Sequence, residues 1–402
     1  MGRRSEPFLA RRLDLVNPDL HLVGERDLPA LRERLRDARR VAVDTEFHAE
    51  RRYLPQLYLV QLHLDDDTTW IIDPRQPGHL HAIAEPLCST DWIVHGGTQD
   101  MRLLLHALGA LPDRVWDTQI AAGLLSEDFP APYGTLVGRY LGVKIEKLAT
   151  LSDWSRRPLT HSQLSYAAED VQLLPRLWDH LWERVEALDR TDIVAGACEE
   201  ARDRVVDPPP IDASWREIGA ARALSPQQAA ILQELSAWRE ETARELDQPR
   251  HFIMGNGIMA ELARRQPITR ESLVANRRLP KALAKRWGTE ILERIQRASR
   301  RPEWAWPHPI TEASPARRTA KWLECFVRLA GHANGYAVRL VLPMTLAEDL
   351  AADRPATREL LANQLGPWRD TLMGESLWKA LSGELSLQIG PDDLEMETRG
   401  DP

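Results

Sequence analysis

Apolar and polar positions alternate with strand-like and helix-like periods in the first half of the chain, and with helical periods in most of the second. Leu28, Leu31, Leu35 and Ala38 recur at helical spacing, which predicts one amphipathic helix within 13–40 after a short lead-in. Val41 to Phe47 reads as a short strand of β-branched residues with a polar end. Leu57 to His63 alternates and is rich in strand formers, and Thr69 to Ile72 is a third strand. Three strands so closely spaced predict an antiparallel meander. Helical sequence at 81–87 leads to a short buried strand, Trp92 to His95. Gly96 and Gly97 permit a tight turn, and Thr98 is placed to cap a helix through Leu108. Asp117 and the stretch 134–141 open two further helical segments. The longest helical signal of this half runs from 161 to about 188. Thr160 and Gln163 have capping-box spacing, and Leu164, Val171, Leu174, Leu177, Leu181, Val185 and Leu188 form its apolar stripe. Pro175 predicts a kink or a break within it.

The run Val205 to Pro210 carries three successive prolines and reads as a stiff linker. It divides a first domain, 1–205, from the rest of the chain. After the linker, 206–223, a compact helical module spans 224–300, opened by Ser225 at a cap and Pro226 in a first turn. A second linker-like strip, 301–314, leads to a last helical domain, 315–402, whose final dozen residues look frayed and acidic. The tryptophans, among them Trp178, Trp182, Trp238, Trp287, Trp304, Trp306 and Trp322, mostly sit at helical spacing and read as core.

Composition narrows the class. An apolar fraction of 43% over 402 residues supports sizeable cores. No apolar run approaches the ~18 residues that cross a bilayer, and the arginines of the first dozen residues lack an apolar segment behind them, so no secretory signal is expected. Cys88, Cys198 and Cys325 lie far apart, which argues against a disulfide framework or a zinc site and fits a cytoplasmic protein. Net charge is −8, unfavourable on its face for a nucleic-acid partner. Its distribution changes that picture. Residues 225–300 hold 14 Lys and Arg against 9 Asp and Glu, whereas 319–402 hold 8 against 13. Phosphate affinity follows local patches, so the middle module is compatible with nucleic acid, although solvated helices carry such an excess too.

The candidate chemistry begins on the first strand. Alternation puts Asp44 and Glu46 on one face. Two adjacent carboxylates repel, and a buried strand end tolerates them if a cation lies between them or one stays protonated; otherwise they are a polar end facing water. Asp65 to Asp67 is a turn-like acidic tip. Asp100 falls in the first turn of a helix just beyond a strand end, where the helix dipole alone could explain it. Tyr166 and Asp170, four apart, share a helical face. Together Asp44, Glu46, Asp100 and Asp170 suit two divalent cations gripping a phosphodiester, and hard oxygen ligands select Mg²⁺ or Mn²⁺. Tyr166 is suited to orient the attacking water, its ordinary pKa near ~10 making it a poor base.

Asp44-Thr45-Glu46, His95 through Asp100, and Tyr166 through Asp170 resemble, in order, the exonuclease motifs of the DEDD superfamily in its tyrosine subgroup. The stretches 50–57 with Gln61, 117–119 and 153–160 sharpen the likeness to the ribonuclease D family over about 20–200. The resemblance implies an α/β, ribonuclease-H-like core, a mixed sheet flanked by helices, and 3′→5′ hydrolysis releasing 5′ mononucleotides. It further implies that Asp44, Glu46 and Asp170 hold one metal, that Asp44 also touches a second, and that Asp100 completes the site. Residues 243–250, 260–263, 279–282 and 287–288 are similar to the HRDC domain, a small helical bundle that helps hold nucleic acid. A second, degenerate HRDC-like bundle is expected at 315–390, with no RNA contact assigned.

Other roles keep their alternatives open. Phe47 could stack on the terminal base or pack in the core. His95 supports the site or is a satisfied buried histidine. Arg157 or Arg156 could grip a phosphate or pair with acids, and Arg250 and Lys281 supply charge in the HRDC module. Trp154 reads as packing. The expected function is a metal-dependent 3′-5′ exoribonuclease acting on tRNA precursors and other small structured RNAs with a single-stranded 3′ end, as a cytoplasmic monomer without membrane attachment. The alternatives are an exodeoxyribonuclease, or a nucleic-acid-binding scaffold with a vestigial site.

Overall fold

The computed structural model describes residues 20–48, 51–145, 152–208, 215–216, 218–307, 309–389 and 394–398. The first part is a sheet ordered β1-β4-β3-β2-β5-β6. It comprises β1 (Leu20–Leu22), β2 (Arg40–His48), β3 (Gln56–Leu64), β4 (Thr69–Ile72), β5 (Asp91–Val94) and β6 (Val115–Asp117). The meander β2-β3-β4 is antiparallel, as its spacing predicts, while β1 joins β4, and β5 joins β2 and β6, in parallel. The three-residue strands β1 and β6 were not expected: each is too short to show a period.

Alternation sorts the two faces. Val41, Val43, Val60, Leu62, Leu64, Trp70 and Ile72 point to one side. There they pack on α1 (Leu28–Asp37), α2 (His79–Cys88) and α3 (Thr98–Leu108) through Leu31, Leu35, Ile83, Leu87, Met101 and Leu104. The opposite face carries Ala42, Leu59, Ile71 and Ile93. It is covered by α4 (Thr118–Gly123), α5 (Tyr133–Leu141), α6 (His161–Gln172), α7 (Leu174–Ala187) and α8 (Thr191–Val206). Each fully buried aliphatic side chain here contributes about 1.5–3 kcal/mol relative to exposure. The long helical signal breaks at Pro175, which sits in the first turn of α7, where a missing N–H costs nothing. Leu188 then falls beyond the end of α7 and is 52% exposed, so it leaves the predicted stripe.

Beyond α8, α9 (Pro226–Glu245), α10 (Arg250–Ile253), α11 (Asn256–Arg265), α12 (Arg270–Val274) and α13 (Lys281–Ser299) enclose a core of their own around Trp238, Ile231, Leu262 and Ile291. Trp215, Ile218 and Ala221, expected in the linker, are buried in it because their apolar side chains pack there. Ser225 and Gln228 close a capping box. Tyr53, from the β2–β3 connection, packs against this core. Its hydroxyl donates to Glu240, its backbone N–H donates to Asp247 at 3.2 Å, and its ring lies under Arg244 and Arg250 at 5.5 and 5.6 Å.

The last part holds α14 (Pro315–Asn334), α15 (Val338–Val341), α16 (Met344–Ala352), α17 (Arg358–Leu365), α18 (Pro367–Arg369) and α19 (Glu375–Ser382). It was expected as a separate bundle, but it shares one continuous core with the sheet domain. Phe326, Leu342, Trp368 and Leu377 join Ile93, Val137, Leu177 and Val194. A Cβ on Gly196 would come within 2.9 Å of Trp368, so glycine permits this close approach. Arg190 donates to the Leu124 carbonyl at 2.6 Å and to the Asn334 carbonyl at 2.5 Å, spanning both parts. Glu348 of α16 accepts from Arg222, just ahead of α9, at 3.1 Å and from Arg317 in the first turn of α14. The segment expected to fray instead contains β8 (Leu394–Thr398), antiparallel to β7 (Leu385–Ile389). Trp304, expected as core, is 84% exposed, because its 3₁₀ turn lies outside both helical bundles. No described helix is long and apolar enough to cross a membrane.

Candidate active site

Asp44 and Glu46 leave β2 on the face crossed by α6, which delivers Asp170. Each of the three offers a carboxylate oxygen within 4.8 Å of the others. Burial, reinforced by the charges of Asp100, Asp170 and Glu46, raises Asp44 well above the ordinary carboxylate range. Burial, then Asp170 and Asp100, pushes Glu46 up to about 8. Carboxylates crowded so that they resist ionisation together form a donor set that a hard divalent cation fits, since its charge reverses the repulsion.

Asp100 stands outside that three-oxygen group and is reached through Thr45. Thr45 alternates to the other face of β2, and its hydroxyl donates to Asp100 Oδ1. Burial raises Asp100, and this bond opposes the rise. The turn carrying Asp100 demands its glycines. Gly96 has φ +62°, and a Cβ on Gly97 would meet the Val94 side chain at 2.6 Å. Asp117, which caps α4, accepts from Gly96 N at 2.9 Å, Gly97 N at 3.2 Å and Gln119 N at 2.8 Å. The cap of α3 is therefore Gly97, and Thr98, expected there, is the first helical residue.

The capping box of Thr160 and Gln163 starts α6 and sets the phase that aligns Tyr166 with Asp170. The Tyr166 hydroxyl donates to Asp170. Burial first, and the Asp170 charge second, raise its pKa, so it is a phenol at neutral pH. Trp154 is buried, with its ring 6.0 Å from that of Tyr166, which is packing. His95 is a satisfied half-buried histidine, bonded to Thr118 Oγ1 at 2.9 Å and the Ala131 carbonyl at 3.0 Å; burial lowers its pKa. Tyr133, absent from the sequence reading, lies 5.5 Å from His95 and is raised by burial and by Asp170. No motif marks it. Thr45 had a signal, a hydroxyl between two acids of a strand, whose partner only the fold supplies.

The expected substrate contacts divide. Phe47 is half-buried and follows a register shift between β2 and β3. Lys281 is exposed at the start of α13. Arg157 is committed inward: it donates to Asp73 at 2.6 Å, to the Trp154 carbonyl at 2.8 Å and to the carbonyl of Tyr58, beside that register shift, at 3.0 Å. Arg250 is paired with Glu240. A phosphate at either arginine competes with a carboxylate already in place. The acidic tip is likewise used: Asp65 pairs with Arg40 and Asp66 with Arg34.

Residues 23–186 match the family model described as 3′-5′ exonuclease, and residues 228–295 match that of the HRDC domain. Ribonuclease D of Pseudomonas paraeruginosa is 32% identical over 353 residues, covering 85% of this chain and 92% of that protein. The chain belongs to the ribonuclease D family. Ribonuclease D of Xanthomonas oryzae pv. oryzae is 37% identical over 251 residues, covering 61% of this chain and 68% of its own length. The crystal structure of Escherichia coli RNase D, described as an exoribonuclease involved in structured RNA processing, matches with a TM-score of 0.74 at 27% identity, over 90% of this chain and 99% of that one. As a member of the ribonuclease D family, the chain is a 3′-5′ exoribonuclease and an RNA-binding protein that carries an HRDC domain, and its acidic cluster accords with divalent metal use.

Proposed function

We propose that the chain trims the 3′ ends of tRNA precursors and other small structured RNAs in the cytoplasm, releasing 5′ mononucleotides. The observation that carries this reading is the convergence of Asp44, Glu46 and Asp170 within 4.8 Å, on the face where Tyr166 bonds Asp170. In this reading Asp44, Glu46 and Asp170 hold one divalent ion and Asp44 and Asp100 serve a second. Mg²⁺ or Mn²⁺ bound there would supply a water of lowered pKa and positive charge at the leaving 3′ oxygen.

The protein's own groups do the positioning. Tyr166 keeps its proton and gives it in a hydrogen bond to Asp170, so its hydroxyl oxygen is left to accept a hydrogen bond that orients the attacking water, and it is not the base. Thr45 fixes the carboxylate of Asp100, and Asp117 fixes the turn that presents it. Phe47 offers an aromatic face to the terminal base, and Lys281 a cation to the RNA backbone. The raised pKa values of Asp44 and Glu46 mean that metal binding must displace protons, so affinity for the ion rises with pH.

The test uses a 5′-labelled tRNA precursor with a 3′ extension and a DNA oligonucleotide of matching sequence. A descending ladder on RNA is expected with Mg²⁺, lost with EDTA and with Asp170→Asn. A ladder on DNA alone would overturn the substrate class. A ladder that survives Asp170→Asn would overturn the site.

A further inference from the structure

Gln61 lies at the centre of β3 and is fully buried. Neither its Nε2 nor its Oε1 has a hydrogen-bond partner. Orphaned buried amides are rare, because the group loses its water and gains nothing in return. A leucine at this position would fill the space without that cost. The question is which group the amide serves.

The sheet register answers it. Gln61 stands directly opposite Asp44 on β2 and opposite Ile71 on β4. Residues paired across antiparallel strands project from the same face, with their Cβ atoms about 4.5–5.5 Å apart. Ile71 offers no polar atom. Two residues along β3, His63 is bonded to Thr69 at 2.9 Å, and Thr69 also accepts from Gln172 at 3.3 Å. The helix above, α6, brings Ala167 against Leu59 and Ile71. His63, Thr69 and Gln172 are thus engaged with one another, and Asp44 is the polar residue directly across the strand pair from the amide.

We propose that Gln61 is a positioning residue for the metal-ligand carboxylate of Asp44, its Nε2–H donating to that carboxylate. This rests on the carboxylate site described above. A neutral donor suits the task. It fixes the plane of the carboxylate and leaves its charge for the ion, whereas a lysine or arginine would neutralise the ligand and compete with the metal. Partners that hold a ligating carboxylate commonly change metal affinity 10–100-fold when removed.

The experiment titrates Mn²⁺ into the full-length protein without RNA, by calorimetry, for wild type, Gln61→Leu, Gln61→Met and Asp44→Ala, with melting curves of each metal-free protein. Gln61→Leu is expected to weaken Mn²⁺ binding about tenfold or more, while the metal-free variant melts at or above the wild-type temperature. Wild-type Mn²⁺ affinity in Gln61→Leu, with binding lost in Asp44→Ala, would overturn the role of Gln61 and leave the site intact. Binding that persists in Asp44→Ala would overturn the site itself. If Gln61→Leu melts lower, Gln61→Met, equal in length and without the donor, decides. Affinity that falls only in step with melting temperature across the two variants would mark Gln61 as packing and overturn the proposal.

Discussion

The two helical regions meet the nuclease sheet in different ways. The module at 226–299 encloses its own apolar core, and among the described residues of the sheet domain Tyr53 packs against it. Around that tyrosine the contact is polar: Glu240, Asp247, Arg244 and Arg250, with Arg52 and Asp247 3.4 Å apart. The region at 315–382 has no core apart from the nuclease, since Phe326 and Trp368 belong to the same cluster as Ile93 and Leu177. The basic region is therefore an attachment and the acidic one a supporting wall. The excess of positive charge lies in the part with a core of its own, and the acidic part is built into the core of the nuclease.

The strongest way to break this contrast is Trp368→Ala. Truncating a buried tryptophan costs about 3–5 kcal/mol, and the loss should lower the urea midpoint of the nuclease sheet, distant in sequence, together with that of α14–α19. A midpoint change confined to the C-terminal helices would refute the shared core.

Proton linkage sharpens the contrast next. Asp44 and Glu46 have folded pKa values above their unfolded ones, so the metal-free nuclease binds more protons folded than unfolded. Its stability contribution is full below the ordinary carboxylate value of 4.5 and is lost as pH rises toward about 8. Glu240 runs the other way: bonds from Arg250 and Tyr53 outweigh burial and lower it, so its contribution is present above 4.5 and is lost as pH falls. Metal-free protein should show a nuclease melting temperature that drops between about pH 5 and 8, while the transition of the 226–299 module stays level over that range. Glu46→Gln should flatten the nuclease slope.

Tyr53→Ala tests the attachment. It removes a hydrogen bond to a charged acceptor and two cation–π contacts, a loss of about 1.5–3 kcal/mol in docking. Limited proteolysis between α8 and Trp215 should accelerate, activity on a short single-stranded oligonucleotide should hold, and activity on a structured precursor should fall several-fold. Equal losses on both substrates would show that Tyr53 acts on the catalytic strand itself. The smallest effect is expected of Lys281→Ala: a stability change within about 0.5 kcal/mol, and a slope of log affinity against log salt reduced by about 1.

The carboxylates of the site were legible because strand alternation and one turn of helix place Asp44 with Glu46, and Tyr166 with Asp170, by local geometry alone. The meander and the break at Pro175 were legible for the same reason. What escaped depends on contacts distant in the chain. Nothing in the composition around Arg157 or Arg250 indicates that Asp73, 84 residues away, and Glu240 consume their charge. Tyr53 sits in a recognisable stretch, yet its partners lie 187 and 194 positions on. The prolines after Val206 suggested that everything beyond them was separate. The fold returns at 315 to finish the core that 20–206 leaves open.

The pairing of Glu348 with both Arg222 and Arg317 bears on the ancestry and engineering of the chain. Arg222 lies in the turn by which the polypeptide enters the basic module and Arg317 where it comes back, and a single carboxylate draws them together. The module is thus a cassette lodged inside a nuclease that is discontinuous in sequence. Truncation at the proline run would expose half a core, whereas replacing the module together with Trp215, Ile218 and Ala221, which pack in its core, by a short turn would leave the nuclease core whole and its socket open to a different unit.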